Sequence, residues 1–308
     1  MSIANISDND VDDEKKFVEK SEILKSLVGI TLKNEDFVFP IDFSTNRQST
    51  TEVFLIPGID GCGSIFKTII PHIKFSTSLL HYKTNNINST NMILETTNQL
   101  TNHILSILTN GKDFVMVGYS FGSLIATEIT RRLEAMNFKG RLVLIDGAPE
   151  LLREMFKSFE FDFDDANFQI DILTNIMEIY STGSSQKILM ELKKCESWDE
   201  RFNIFAKQFS VIYTYLSFEN LKMLVTTIYK HLSALREYDP SNLPPIKSPI
   251  TLLKCISSFN MPTIREDYGL HKVTQNVVKV HYVENDHMTI LKNEQVVAAI
   301  NGELPFTV

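Results

Sequence analysis

Cysteine is scarce, with three in 308 residues. Cys62, Cys195 and Cys255 lie far apart and form no Cys-x-x-Cys spacing, so neither a disulfide framework nor a thiolate zinc site is indicated. Reduced thiols fit better. Basic clusters are equally rare: nothing longer than Lys193-Lys194 or Arg131-Arg132 occurs, and the formal net charge is -8. Both argue against a polyanion as partner, because binding nucleic acid needs a concentrated basic face to displace counterions. No run approaches the roughly 20 uninterrupted apolar residues of a membrane span, and the first residues, MSIANISDNDVDDEKK, lack the apolar centre of a secretory signal. A cytoplasmic protein with no nucleic-acid partner and no membrane span is therefore expected.

What remains is enough for a full core, at 43% hydrophobic and 22% charged residues. Residues 1–36 are expected to be a flexible acidic lead or linker, since their opening composition cannot repay the entropy of ordering. Residues 37–308 read as a single domain. Short apolar runs recur at Val53 to Ile56, Phe114 to Val117, Leu142 to Ile145, Ile250 to Ile256 and Val277 to Val283. The first four hardly alternate, which predicts strands buried on both faces. A helical stripe at Leu100, Ile104, Ile107 and Leu108 separates the first two runs, so βαβ units and a largely parallel sheet follow. After Pro149 the rhythm changes. Helical patterns without convincing strands continue until Pro240, Pro244, Pro245 and Pro249 mark the return to the sheet, and this predicts a helical insertion at about 150–245.

The strongest chemical signal is Gly118-Tyr119-Ser120-Phe121-Gly122, a G-x-S-x-G between the run FVMV and the helical pattern SLIATEITRRLEAM. A sharp strand-to-helix turn would lift Ser120 to the end of the sheet, with room only for glycine two positions either side. The Phe121 amide could then donate to a developing oxyanion. A serine hydroxyl needs a base within reach and a third group to orient that base. His72, His81 and His103 precede the serine, His231 lies in the helical stretch, and His281 sits inside the strand-like run VVKVHYV. His271 is a weaker contender. His287 follows that run at once, on a loop at a strand's C-terminal end, and is the expected base. Two acids are open. Asp146 ends LVLID and is favoured because Gly147 and Pro149 fix a tight turn there, whereas Asp267 follows the later run. The loop Pro57-Gly58-Ile59-Asp60-Gly61 is placed to supply a second amide donor, expected at Ile59. As a phosphate loop it fails, having no Lys-Ser/Thr and no spaced G-x-G-x-x-G.

With these pieces assembled, the chain resembles the thioesterase domain of animal-type fatty acid synthase, a relative of the type I thioesterases of polyketide and nonribosomal peptide synthetases. The similarity runs from about Phe37 to about Leu304, on VFLIPGIDG, VMVGYSFGSLIATEI, LVLIDGAP, LREYDP and VHYVENDHMTIL. It implies an α/β-hydrolase fold, a mostly parallel central sheet with an inserted helical cap, and Ser120, Asp146 and His287 as the triad. It further implies hydrolysis of a fatty acyl thioester carried on the phosphopantetheine of an acyl carrier protein, alone or with the rest of a synthase as partner. No metal or organic cofactor is called for. Cap residues Phe161, Phe163 and Phe168 are candidate walls for the acyl chain, against the plainer reading of an aromatic helix stripe as core. A synthetase-type releasing or editing thioesterase and a silent carrier-docking module are the alternatives.

Overall fold

Each of the five apolar runs contains a strand in the computed structural model of the chain, which describes residues 41–43, 49–84, 91–108, 111–158, 165–180, 185–212, 217–256 and 265–304. The expected lead, 1–36, and the candidates Phe161 and Phe163 lie outside the described residues. The strands are β1 (Ile41–Phe43), β2 (Thr51–Ile56), β3 (Ser76–Leu79), β4 (Asp113–Tyr119), β5 (Gly140–Ile145), β6 (Ile250–Cys255) and β7 (Lys279–Val283). The helices are α1 (Met92–Ile107), α2 (Gly122–Ala135), α3 (Pro149–Ser158), α4 (Asp165–Tyr180), α5 (Ser185–Leu192), α6 (Trp198–Ile212), α7 (Phe218–Leu235) and α8 (Glu294–Asn301). None of the described helices is long and apolar enough to cross a membrane.

The sheet runs in the order β1-β3-β2-β4-β5-β6-β7, with β1 antiparallel to β3 and every other pair parallel. Its central strands are apolar on both faces because both faces are covered, as parallel crossovers require. Val53, Leu55, Val115, Val117, Val143, Ile145 and Leu253 form one core with Phe66, Ile69, Ile73, Val296 and Ile300. The alternate residues Phe54, Met116, Leu142, Leu144 and Leu252 are just as inaccessible. Helix α2 packs on β4, β5 and β2, and α1 packs on α2 and α7.

Two strands escaped the sequence reading. β1 is only three residues long, and β3 has the sequence STSL. Ser76, Thr77 and Ser78 are buried although polar. Their strand is held by its ladder to β2, in the register Glu52 with Ser76 and Val53 with Thr77, so no apolar pattern announces it.

The described residues divide into two compact units. One contains the sheet with α1, α2, α3, α7 and α8. Among the described residues the other holds α4, α5 and α6 and has its own interior. Trp198, Phe202, Phe205 and Phe209 recur at helical spacing along α6, with successive ring centroids 6.3, 6.1 and 5.1 Å apart. Phe168 belongs to this unit and is 1% exposed. The helical stretch expected at about 150–245 therefore contributes to both units, because α3 and α7 group with the sheet.

Candidate active site

Ser120 stands between β4 and α2 at φ +53°, a region that side chains other than glycine rarely adopt. The conformation is held from both sides. Its amide donates to the Ile145 carbonyl at 2.9 Å, and its carbonyl accepts from the Ser123 amide at 3.0 Å. Neither flanking glycine is replaceable: a Cβ on Gly118 would lie 2.6 Å from the Ser123 Cα, and one on Gly122 would lie 2.2 Å from the Pro57 carbonyl oxygen. The sharp turn and the close approach inferred from G-x-S-x-G are thus both present.

Asp146 directly follows β5 in a second left-handed conformation, φ +46°, and is 1% exposed. Its amide donates to the Leu253 carbonyl at 2.7 Å, which fixes it against the end of β6. Oδ1 accepts from the Tyr268 hydroxyl at 3.1 Å and from the Cys255 amide at 3.2 Å. Oδ2 lies 2.7 Å from His287 Nδ1, and His287 Nε2 lies 2.9 Å from Ser120 Oγ. An ionised carboxylate only accepts, so Nδ1 carries the proton and Nε2 is bare toward the serine. Asp267 is occupied elsewhere. Its carboxylate takes the amides of Gly269 and His271, each at 3.0 Å, and the His271 ring at 2.9 Å. Burial alone would raise its pKa, but these hydrogen bonds outweigh burial and lower it.

His287 itself lies on the loop after β7. The Tyr119 ring stacks on its imidazole, centroids 5.1 Å apart and 25° between planes, and the Tyr119 hydroxyl donates to the His287 carbonyl at 2.7 Å. Burial first, then the nearby Asp146, raises the phenol's pKa well above its ordinary value, so it stays a donor. Tyr119 sits inside the G-x-S-x-G motif, yet sequence reasoning gave it no part. Tyr268 was missed as well, and nothing local in its sequence marks it.

The loop after β2 lies against the serine: a Cβ on Gly58 would fall 3.7 Å from the Ser120 Cβ. Neither the Ile59 amide nor the Phe121 amide donates to another described residue. Chemically, a bare imidazole nitrogen on a serine hydroxyl can take its proton, and undonated amides beside that serine can hold an oxyanion. Among the described residues no group of three or more His, Cys, Asp or Glu could hold a metal ion.

Residues 51–158 match the family model of the thioesterase domain. The matched segment runs from β2 to α3 and so includes Ser120 and Asp146. Among solved structures, the chain is similar to a four-domain nonribosomal peptide synthetase bound to AMP and glycine, with 20% identity over 86% of this chain and a TM-score of 0.63. It spans 20% of that protein's length. It is similar also to YbtT, a type II thioesterase of the yersiniabactin pathway, with 15% identity over 86% of this chain and 96% of that one and a TM-score of 0.56. A third is the RedJ thioesterase of prodiginine biosynthesis in Streptomyces coelicolor, with 15% identity over 83% of this chain and 87% of that one and a TM-score of 0.54. At such identities the likeness concerns the fold alone, and that fold is the α/β-hydrolase fold.

Proposed function

We propose that this chain is a serine thioesterase that frees an acyl group from the phosphopantetheine of a carrier protein through an acyl-serine intermediate. The observation that carries this reading is the hydrogen-bonded line from Asp146 through His287 to Ser120, two of whose members, Ser120 and Asp146, fall in the segment that matches the thioesterase-domain model. Ser120 Oγ attacks the thioester carbonyl carbon while its proton passes to His287 Nε2. The amides of Ile59 and Phe121 hold the oxyanion, and Asp146 balances the imidazolium. Collapse breaks the C–S bond, and the leaving thiolate takes the proton from His287. Water then attacks the acyl-serine by the same route in reverse, giving the free acid and restoring Ser120. No metal or organic cofactor takes part.

For the substrate class, similarity to synthetase-associated thioesterases favours an acyl chain built on a polyketide or nonribosomal peptide carrier. Release of a fatty acyl chain is the second reading, favoured by LVLIDGAP, which carries the acid directly after the strand following the serine. The test is kcat/KM on carrier-bound fatty acyl, aminoacyl and peptidyl thioesters, with Ser120→Ala as control. The parent should hydrolyse at least one class and be labelled by a fluorophosphonate. Ser120→Ala should keep its fold and lose hydrolysis by several orders of magnitude. Equal turnover in a folded Ser120→Ala protein would overturn the assignment.

A further inference from the structure

The two amide donors belong to different elements, the loop after β2 and the start of α2, and the serine motif does not set the distance between them. The segment that follows β3 does part of that work. The Tyr82 hydroxyl is 2.8 Å from the Pro57 carbonyl and also reaches the Gly58 carbonyl, while the Tyr82 amide donates to the Gly61 carbonyl at 3.2 Å. Tyr82 therefore grips the loop on both sides of Ile59. Burial, then Asp60 and Cys62, raises the phenol's pKa well above its ordinary value, which keeps it a donor. Gly61 has no alternative there, since a Cβ would meet the Tyr82 carbonyl oxygen at 1.7 Å.

Behind Tyr82 stands His231 of α7, with no exposed surface. Its ring meets Tyr82 edge-on at 5.1 Å and Phe121 edge-on at 4.8 Å, centroid to centroid. Both its nitrogens are used. Nδ1 is 2.9 Å from the Thr227 carbonyl, which only accepts, so Nδ1 carries the proton; Nε2 is bare and takes the Thr96 hydroxyl at 3.2 Å. One turn earlier on the same helix, the Thr227 hydroxyl oxygen accepts from the Thr84 amide at 2.8 Å. Helix α7 thus meets residues 82–84 at two points, the Tyr82 ring and the Thr84 amide, and touches Phe121 through the same His231 ring. A fully satisfied buried polar network of this kind holds one geometry, and oxyanion donors must sit within a few tenths of an ångström of their place.

We propose that His231 is a positioning residue for the oxyanion site: one buried imidazole, bonded to Thr96 and Thr227, sets Tyr82 and Phe121 and through them the amides of Ile59 and Phe121. This rests on the thioesterase reading above. The test compares the parent with Tyr82→Phe, His231→Phe and Thr96→Val, the last removing only the hydroxyl that holds Nε2 should His231→Phe fail to fold. Hydrolysis is followed on acyl-N-acetylcysteamine thioesters across pH, and deuterium exchange is followed in peptides covering 57–62 and 119–123.

Removing an oxyanion donor outright costs about 10²- to 10³-fold in kcat. A displaced donor should cost about tenfold or more, with KM within about twofold and the pH midpoint unmoved, because His287 keeps its partners. Exchange at 57–62 should quicken. A role confined to stability would lower the melting temperature and leave kcat of the folded protein alone, and that result overturns the inference. An inactive parent would refute the thioesterase reading instead. Even then, unchanged exchange at 57–62 in all three variants would refute the positioning role separately.

Discussion

Acid should loosen this fold through His231 in particular. Burial lowers its pKa from 6.5 to about 3, against the smaller upward pull of its hydrogen bond to the Thr227 carbonyl. The folded chain therefore keeps the ring neutral where the unfolded chain would bind a proton. Since the folded pKa is the depressed one, the stabilisation is complete above about pH 6.5 and is lost as pH falls toward about 3. Between pH 7 and pH 5 the imbalance amounts to about 2 kcal/mol, from the ratio of proton binding in the two states. Other groups titrate over the same range, so the parent must be compared with His231→Phe. Urea denaturation followed by circular dichroism at both pH values gives the two stabilities. The advantage of the parent over the variant should shrink by about 2 kcal/mol on going to pH 5. An advantage equal at both pH values would refute the argument, for it would mean that His231 protonates in the fold.

Two further outcomes follow from the site. Asp146→Asn should favour the wrong imidazole tautomer and cost on the order of 10⁴ in kcat, while Asp267→Asn, which loses only its local turn bonds, should leave kcat within about threefold; steady-state kinetics of both proteins decide between the two acids. Gly122→Ala should destabilise the protein by about 1–3 kcal/mol or prevent folding, because its methyl group would meet the Pro57 carbonyl oxygen; a melting temperature equal to the parent's would show that the close approach is not obligatory.

Some of this was legible in the chain before any coordinates. Val53 to Ile56, Phe114 to Val117 and Leu142 to Ile145 are runs of apolar residues without alternation, and a strand covered on both faces has no other economical composition. The serine's setting was equally plain, since steric need at Gly118 and Gly122 writes itself into residue types at fixed spacing. Order along the chain then singled out His287. The choice between Asp146 and Asp267 was harder. Both follow strands at the same end of the sheet, and only the 2.7 Å contact of Asp146 with His287 separates them in space.

The sequence by itself determined a parallel sheet, a serine at a strand-to-helix turn and a histidine after a late strand, because local sterics and hydrophobic periodicity act between near neighbours. Tertiary structure alone decided the rest. Ser76 to Leu79 becomes a strand through its ladder to β2, not through its own composition. Tyr119, Tyr268 and Tyr82 acquire their partners across 168, 122 and 25 positions of chain, and no local pattern encodes such separations. His231 read as one more residue of a helical insertion. It lies beneath the serine turn because α7 packs on α1, and the grouping of helices into units depends on contacts that form only when distant segments meet.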